Sequence, residues 1–298
     1  MLDFQVLSML LERYRGELGK PVRAFHVGER FFDFNRSRYL VGVINLSTDS
    51  SYRESVCSTT EEAIARADML HENGADIIDI GSESTHPKAR RVDIENQLRQ
   101  LLPVVESLKE RGMLVSVESY YPEVFEACAK AGADVFNLTG TLYEDEIFRI
   151  AMQYDIAVIL CYIQGVTVRH VSDFRFQDDI IAEMMKYFRN LTTKTEKIGL
   201  TKCFIDPGLG FCHNAIQDKF YLIKYQMHTI LSCFRLHELG YPVFNIAPSA
   251  SELLIESDYH IGELFFSILA FLCGTHAIRL HEVGAVNRIR EIMGIYDS

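Results

Sequence analysis

Short apolar runs alternate with longer segments of helical spacing along most of this chain. The runs lie at Leu40–Ile44, Ile77–Ile80, Leu114–Val117, Val135–Phe136, Val158–Cys161, Cys203–Ile205, Val243–Ile246 and Ala277–Leu280. Each has the length and continuous hydrophobicity of a strand covered on both faces, as in a parallel sheet. Helical patterning fills the intervals, at Glu61–Glu72, Ile94–Lys109, Pro122–Lys130, Glu144–Gln153, Asp178–Ile198, Ile216–Leu239 and Ile261–Cys273, and a last helix follows at Val286–Met293. Gly74 and Gly132 each close a helix just before the next strand. Pro122 stands where the first turn of a helix tolerates proline. Eight such units over about 250 residues predict an α/β fold of the (β/α)8 type, a TIM barrel. An open doubly wound sheet is the alternative. It would normally carry a glycine-rich phosphate turn after its first strand, and Asn45-Leu46-Ser47-Thr48 is not one.

Upstream, residues 2–18 place Leu2, Val6, Leu7, Met9, Leu10, Leu11 and Tyr14 at near-helical spacing. This predicts an extra N-terminal helix, then a loop or short strands to Arg38. With no Pro- or Ser-rich linker and no change of composition, the expected organisation is an N-terminal extension, 1–38, on one barrel domain, 39–298.

Composition narrows the classes of function. Apolar residues make up 48% and charged residues 24% of the 298, an ordinary balance for a soluble globular protein. The excess of 41 acidic over 30 basic residues, a net charge of −11, disfavours a general nucleic-acid or membrane-surface binder. Seven scattered cysteines with no CxxC pair suit a reduced, cytoplasmic compartment. No apolar run approaches the length of a membrane span, and Asp3 and Glu12 do not fit a secretory leader.

The chemistry gathers at the strand ends. Asp76-Ile77-Ile78-Asp79-Ile80-Gly81-Ser82-Glu83-Ser84-Thr85 turns from a buried strand into small polar residues, and other strands end likewise. In order, the side chains at the expected C-terminal face are Asn45, Asp79, Glu118, Asn137, Cys161 with Tyr162, Asp206, Asn245, and Arg279 with His281. Active sites of such barrels lie on that face. Each residue also has a plainer use: Asp206-Pro207-Gly208 suits a turn, Glu118-Ser119 a helix cap, Asn137 a loop cap. Together they predict a functional mouth. Glu118, Asn137 and Asp206 offer acceptors and an amide to a flat heterocycle edge bearing N–H donors. Arg279 and His281, with Asn45 nearby around the closed barrel, suit a diphosphate with Mg2+.

Six stretches carry a resemblance: Val41–Ser50, Ile78–Pro87, Val115–Ser119, Gly132–Asn137, Ile205–Phe211 and Ile278–Val283. Taken in order they resemble the dihydropteroate synthase family over about residues 40 to 293; Asp79-Ile80-Gly81-Ser82-Glu83-Ser84-Thr85 and Asp206-Pro207-Gly208-Leu209-Gly210-Phe211 are its most specific segments. The resemblance implies a single barrel that joins a pterin methyl diphosphate to 4-aminobenzoate, releasing diphosphate for folate biosynthesis. It implies Glu118, Asn137 and Asp206 as pterin ligands and Asn45, Thr85, Arg279 and His281 at the diphosphate, Asn45 also holding Mg2+. Pro87, Phe211 and Ser251 fall at the aminobenzoate site, and Arg279, His281 and Asp79 form the expected catalytic set. A homodimer is implied in the same way. The chain departs from the family after the seventh strand, where Pro248-Ser249-Ala250-Ser251 replaces Ser-Arg-Lys-Ser. His86 stands for an arginine, Glu118 for an aspartate, and Cys161-Tyr162 for Met-His. Lys88, His86 or His213 are the candidates to replace the missing cation. Two other functions stay open: a pterin-binding protein without catalysis, and a transferase with a different acceptor.

Overall fold

A computed structural model of the chain describes residues 2–47, 49, 52–85, 89–165, 167–168, 179–211, 218–251 and 253–297. The eight apolar runs form eight parallel strands: β3 (Tyr39–Asn45), β4 (Ile77–Gly81), β5 (Val115–Ser119), β6 (Val135–Leu138), β7 (Ala157–Cys161), β8 (Cys203–Asp206), β9 (Phe244–Ile246) and β10 (Ala277–Leu280), preceded by a hairpin of β1 (Phe25–Val27) and β2 (Arg30–Phe32). Their order is β8-β7-β6-β5-β4-β3-β10-β9. The Ile205 amide donates to the Pro242 carbonyl at 3.0 Å, and Ile205 bridges Val243 in parallel, so β8 meets β9 and the ring closes. The fold is a (β/α)8 barrel.

The helices follow their sequence signals. They are α1 (Phe4–Arg13), α2 (Thr60–Glu72), α3 (Ile94–Glu110), α4 (Pro122–Lys130), α5 (Glu144–Gln153), α6 (Ile180–Lys197), α7 (Lys219–Ser232), α8 (Tyr259–Leu272) and α9 (Val283–Gly294). Thr59, Asp93, Asp179 and Asp218 cap α2, α3, α6 and α7 by accepting first-turn amides. The long helix expected over Ile216–Leu239 divides: its α-helical part ends at Ser232, and Cys233–Leu239 tightens into a 3-10 helix.

The period of two sorts every strand. Leu40, Ile44, Ile78 and Ile80 pack outward beneath the helices. Val41, Ile77, Val135, Ala157, Ile159, Phe204, Phe244 and Ala277 fill the interior. Val22, Phe25, Val27, Phe32 and Phe34 join that interior cluster, with the Phe25 and Phe34 rings 5.2 and 5.3 Å from Phe204 and Phe32 4.3 Å from Tyr39. The hairpin is thus the floor plug of the barrel. A boundary at residue 38 does not separate two packing units. α1 lies outside and buries none of its residues fully. Behind it, Arg235 ties the N-terminal segment to the barrel by bonding Glu17 at 2.9 Å and Asp179 at 2.8 Å.

Candidate active site

The mouth is built from the last inward-facing position of each strand and from the loops that follow. Strand register places Asn45, Gly81, Glu118 and Asn137 side by side, with Asp79 and Ser116 in the layer below. Cys161 and Asp206 are partners on the far side. A cavity of about 160 Å3 opens here. Its walls include Thr85, Glu118, Asn137, Asp206, Phe211, Ser251, Arg279 and His281, so eight of the expected site residues share one space.

The others lie elsewhere. Asp79 is 0% exposed and sits beneath the cavity. It accepts from Ser116 Oγ at 2.5 Å, Asn137 Nδ2 at 3.2 Å and Arg279 Nε at 2.6 Å. Expected as a wall and a member of the catalytic set, it lies below the wall rather than in it, and anchors Arg279 from there. Asn45 stands beside the mouth and donates its amide to Ser55 Oγ at 2.6 Å. Asn245 faces outward, away from the mouth, and donates to Thr275 Oγ1 at 2.7 Å, because Phe244 and Ile246 take the inward positions of β9. Pro87, together with His86, Lys88 and His213, lies outside the described residues.

The expected division into an acidic end and a cationic end is not how the side chains lie. Arg279 reaches across: its Nη2 is 3.2 Å from Glu118 Oε2 while its Nε holds Asp79. Burial disfavours its charge, but the Asp79 and Glu118 carboxylates outweigh this and raise its pKa. Burial pushes the Glu118 carboxyl up to about 7; Arg279 opposes the rise, and the charges of Asp79 and Asp206 add to it. Glu118 Oε1 has no hydrogen-bond partner among the described residues; the Thr139 hydroxyl stands near it without reaching hydrogen-bond geometry. Burial likewise lifts Asp206 to about 7, against the pull of the Gly208 amide, which donates to its Oδ1 at 2.8 Å. Gly208 is required in that turn: at φ +72°, a Cβ would meet the Tyr162 carbonyl oxygen at 2.5 Å.

The opposite wall contains residues that sequence reasoning missed. His281 Nδ1 lies 2.5 Å from Glu263 Oε1, and the His281 ring stacks on Tyr52 with centroids 3.9 Å apart and planes 4° apart. The Tyr52 hydroxyl donates to Glu282 Oε1 at 2.7 Å. One sequence signal could have found Glu263, the sole carboxylate in the predominantly apolar α8. Tyr52 had none, since its place depends on how the first loop folds back. Beyond His281, Ile246, Ala247, Pro248, Ser249, Ala250 and Tyr259 complete the wall.

A cavity in which the acceptors Glu118, Asn137 and Asp206 share a wall with Arg279 and His281 can hold a flat N–H-bearing ring and an anionic group together. A family model described as pterin binding enzyme matches residues 41–281. Among curated relatives, dihydropteroate synthase of Escherichia coli K12 is 28% identical over 254 residues, covering 82% of this chain and 86% of the relative. That of Synechocystis is 28% identical over 279 residues, covering 89% and 92%. The solved structure of Xanthomonas albilineans dihydropteroate synthase with 4-aminobenzoic acid is 26% identical and superposes with a TM-score of 0.78 over 93% of this chain and 99% of that one.

Proposed function

Because the chain belongs to the pterin binding enzyme family, we propose that it is a transferase of the dihydropteroate synthase type, joining a pterin methyl diphosphate to 4-aminobenzoate and releasing diphosphate for folate biosynthesis. The observation that carries this reading is the pair of burial-raised carboxyls, Glu118 and Asp206, facing one cavity with Asn137 beside the half-buried Arg279. A pterin edge donates N–H groups to Asp206 and Glu118 and meets the amide of Asn137. The unpartnered Glu118 Oε1 is an acceptor ready for such a donor. When the C–O bond to diphosphate breaks, its electron pair leaves with the diphosphate oxygen. Arg279 and His281 stabilise that charge, with Thr85 and Asn45 alongside. The amine of 4-aminobenzoate then attacks the methylene carbon, forms the C–N bond and gives up one proton. Phe211 and Ser251 line the side of the cavity assigned to this acceptor.

Mg2+ belongs to the proposal. Among the described residues no three histidine, cysteine, aspartate or glutamate side chains form a metal cage. That suits Mg2+, which keeps several waters and arrives with substrate phosphates, taking one or two protein oxygens. Asn45 fits the protein position, since its amide nitrogen is spent on Ser55 and its carbonyl oxygen remains for the ion. When bound, the ion would neutralise part of the diphosphate charge. A cytoplasmic location is part of the same reading. Among the described residues no helix is long and apolar enough to cross a membrane. A homodimer is part of it as well. Ile261, Phe265, Ile268 and Leu272 are all exposed at helical spacing on α8, and an apolar stripe of that kind favours a partner. Leu272→Glu should shift the protein to the monomer in sedimentation; a parent that is already monomeric removes the dimer.

One observation favours a second reading, a pterin-binding protein without catalysis. Ser249 and Ala250 line the cavity where the family carries its basic pair, and among the described residues of that lining Arg279 is the one lysine or arginine. The test is incubation with a pterin methyl diphosphate and 4-aminobenzoate. Diphosphate release with a C–N-linked product supports the transferase. Pterin binding by calorimetry without any release, and Ala250→Lys that fails to start it, leaves the binding protein. Absence of pterin binding removes both.

A further inference from the structure

We propose that Glu263 is a positioning residue for the leaving-group end of the mouth: it fixes His281 so that ring nitrogen Nε2 is the one presented to the departing diphosphate. This rests on the transferase reading above. Glu263 is 1% exposed and spends both oxygens on one short stretch of chain. Oε1 meets His281 Nδ1 at 2.5 Å, and Oε2 accepts the main-chain amides of His281 at 3.0 Å and Glu282 at 3.1 Å. One carboxylate therefore holds both the backbone and the ring of His281. No lysine or arginine among the described residues pairs with it.

A carboxylate only accepts hydrogen bonds, so Nδ1 must carry a proton in this contact. That assigns the ring: Nδ1 belongs to Glu263, and Nε2 is left for the mouth, whose wall both residues line. Tyr52, stacked flat on the imidazole, resists rotation out of this pose. In the complex with diphosphate, Nε2 donates when the ring carries both protons, with the Glu263 carboxylate as counter-charge on the other nitrogen.

Placing a carboxylate here is costly unless it has a purpose, and Glu263 is the one acidic residue among the fourteen of α8. The approach needed to reach His281 is built by Gly262, the preceding residue. A Cβ on it would lie 2.2 Å from the Ser249 carbonyl oxygen, so only glycine lets the first turns of α8 lie directly on the loop after β9. The close contact brings Glu263 to the cavity wall.

The test uses Glu263→Gln in the full chain. The glutamine carbonyl can keep the two main-chain amides, while its NH2 faces Nδ1 and turns that nitrogen into an acceptor. Histidine 15N chemical shifts should show His281 protonated at Nδ1 in the parent and at Nε2 only in the variant. Inorganic diphosphate should bind the variant roughly tenfold more weakly, the scale of one charge-assisted contact. Turnover should lose kcat with little change in KM for 4-aminobenzoate. Against His281→Ala, adding the glutamine should cost nothing more, because Glu263 acts through that ring. Should the isosteric variant not fold, Glu263→Ser takes its place with the same diphosphate and double-mutant readouts. An unchanged tautomer and affinity in a protein that binds diphosphate removes the Glu263 assignment alone. A parent that fails to bind diphosphate removes the transferase reading, and the leaving-group role with it.

Discussion

Near neutral pH the Asp206 and Glu118 carboxyls, both lifted to about 7 by burial, exist in two forms. A carboxyl raised on folding holds its proton where the unfolded chain, with pKa about 4, has lost its own. The stability it contributes is therefore complete below that value and is lost as pH rises through about 7. Asp206→Asn, which cannot ionise, should gain in melting temperature over the parent more at pH 8 than at pH 5; an equal difference at both would contradict the burial argument. Binding runs the other way. Two N–H donors of a pterin edge pair with the ionised carboxylate, so affinity for a pterin ligand should climb between pH 6 and 8, by up to about tenfold per unit below the pKa. Asp206→Asn should bind weakly and show a flatter profile by calorimetry. The sequence placed these acids at strand ends, but it could not say which anion would hold Arg279. That choice belongs to Asp79, 200 residues away along the chain.

Among the elements, the loop after β9 and the first turns of α8 decide the shape of one cavity wall. Their separation is set by Gly262 against the Ser249 carbonyl. Gly262→Ala should destabilise the fold by about 1–3 kcal/mol, the cost of forcing atoms into a packed contact. It should also slow turnover by shifting Glu263. Gly294→Ala, with nothing within 4 Å of the added carbon, is the control and should leave chemical denaturation unchanged. Equal behaviour of the two variants would mean that the contact is not tight. The strands themselves were legible because continuous apolar runs bounded by glycine or polar turns have few other uses. The facing of β9 was harder to read. Its three residues are too short to show a period, and Asn245 turns outward to Thr275 while Phe244 and Ile246 line the barrel.

For the molecule as a whole, the hairpin before the barrel matters more than the helix before the hairpin. Phe34 is fully buried among Phe25, Phe32, Tyr39 and Phe204. Phe34→Ala should cost about 3–5 kcal/mol by transfer and cavity terms together. Removing α1, which buries no residue fully, should cost less in the same denaturant titration; the reverse order would mean that the floor is closed by something other than the hairpin. By itself, the sequence determined the eight-unit barrel, the end of it that carries the chemistry, and most of the residue types in the mouth. Periodicity and turn chemistry are local properties, and a barrel leaves little freedom over which end of each strand faces the loops. Three features were decided only by tertiary structure: residues 22–34 as the floor, Asp79 under Arg279, and Glu263 with Tyr52 around His281. Each depends on contacts between segments far apart in the chain, where the closing of the ring, and no nearby pattern, selects the partner.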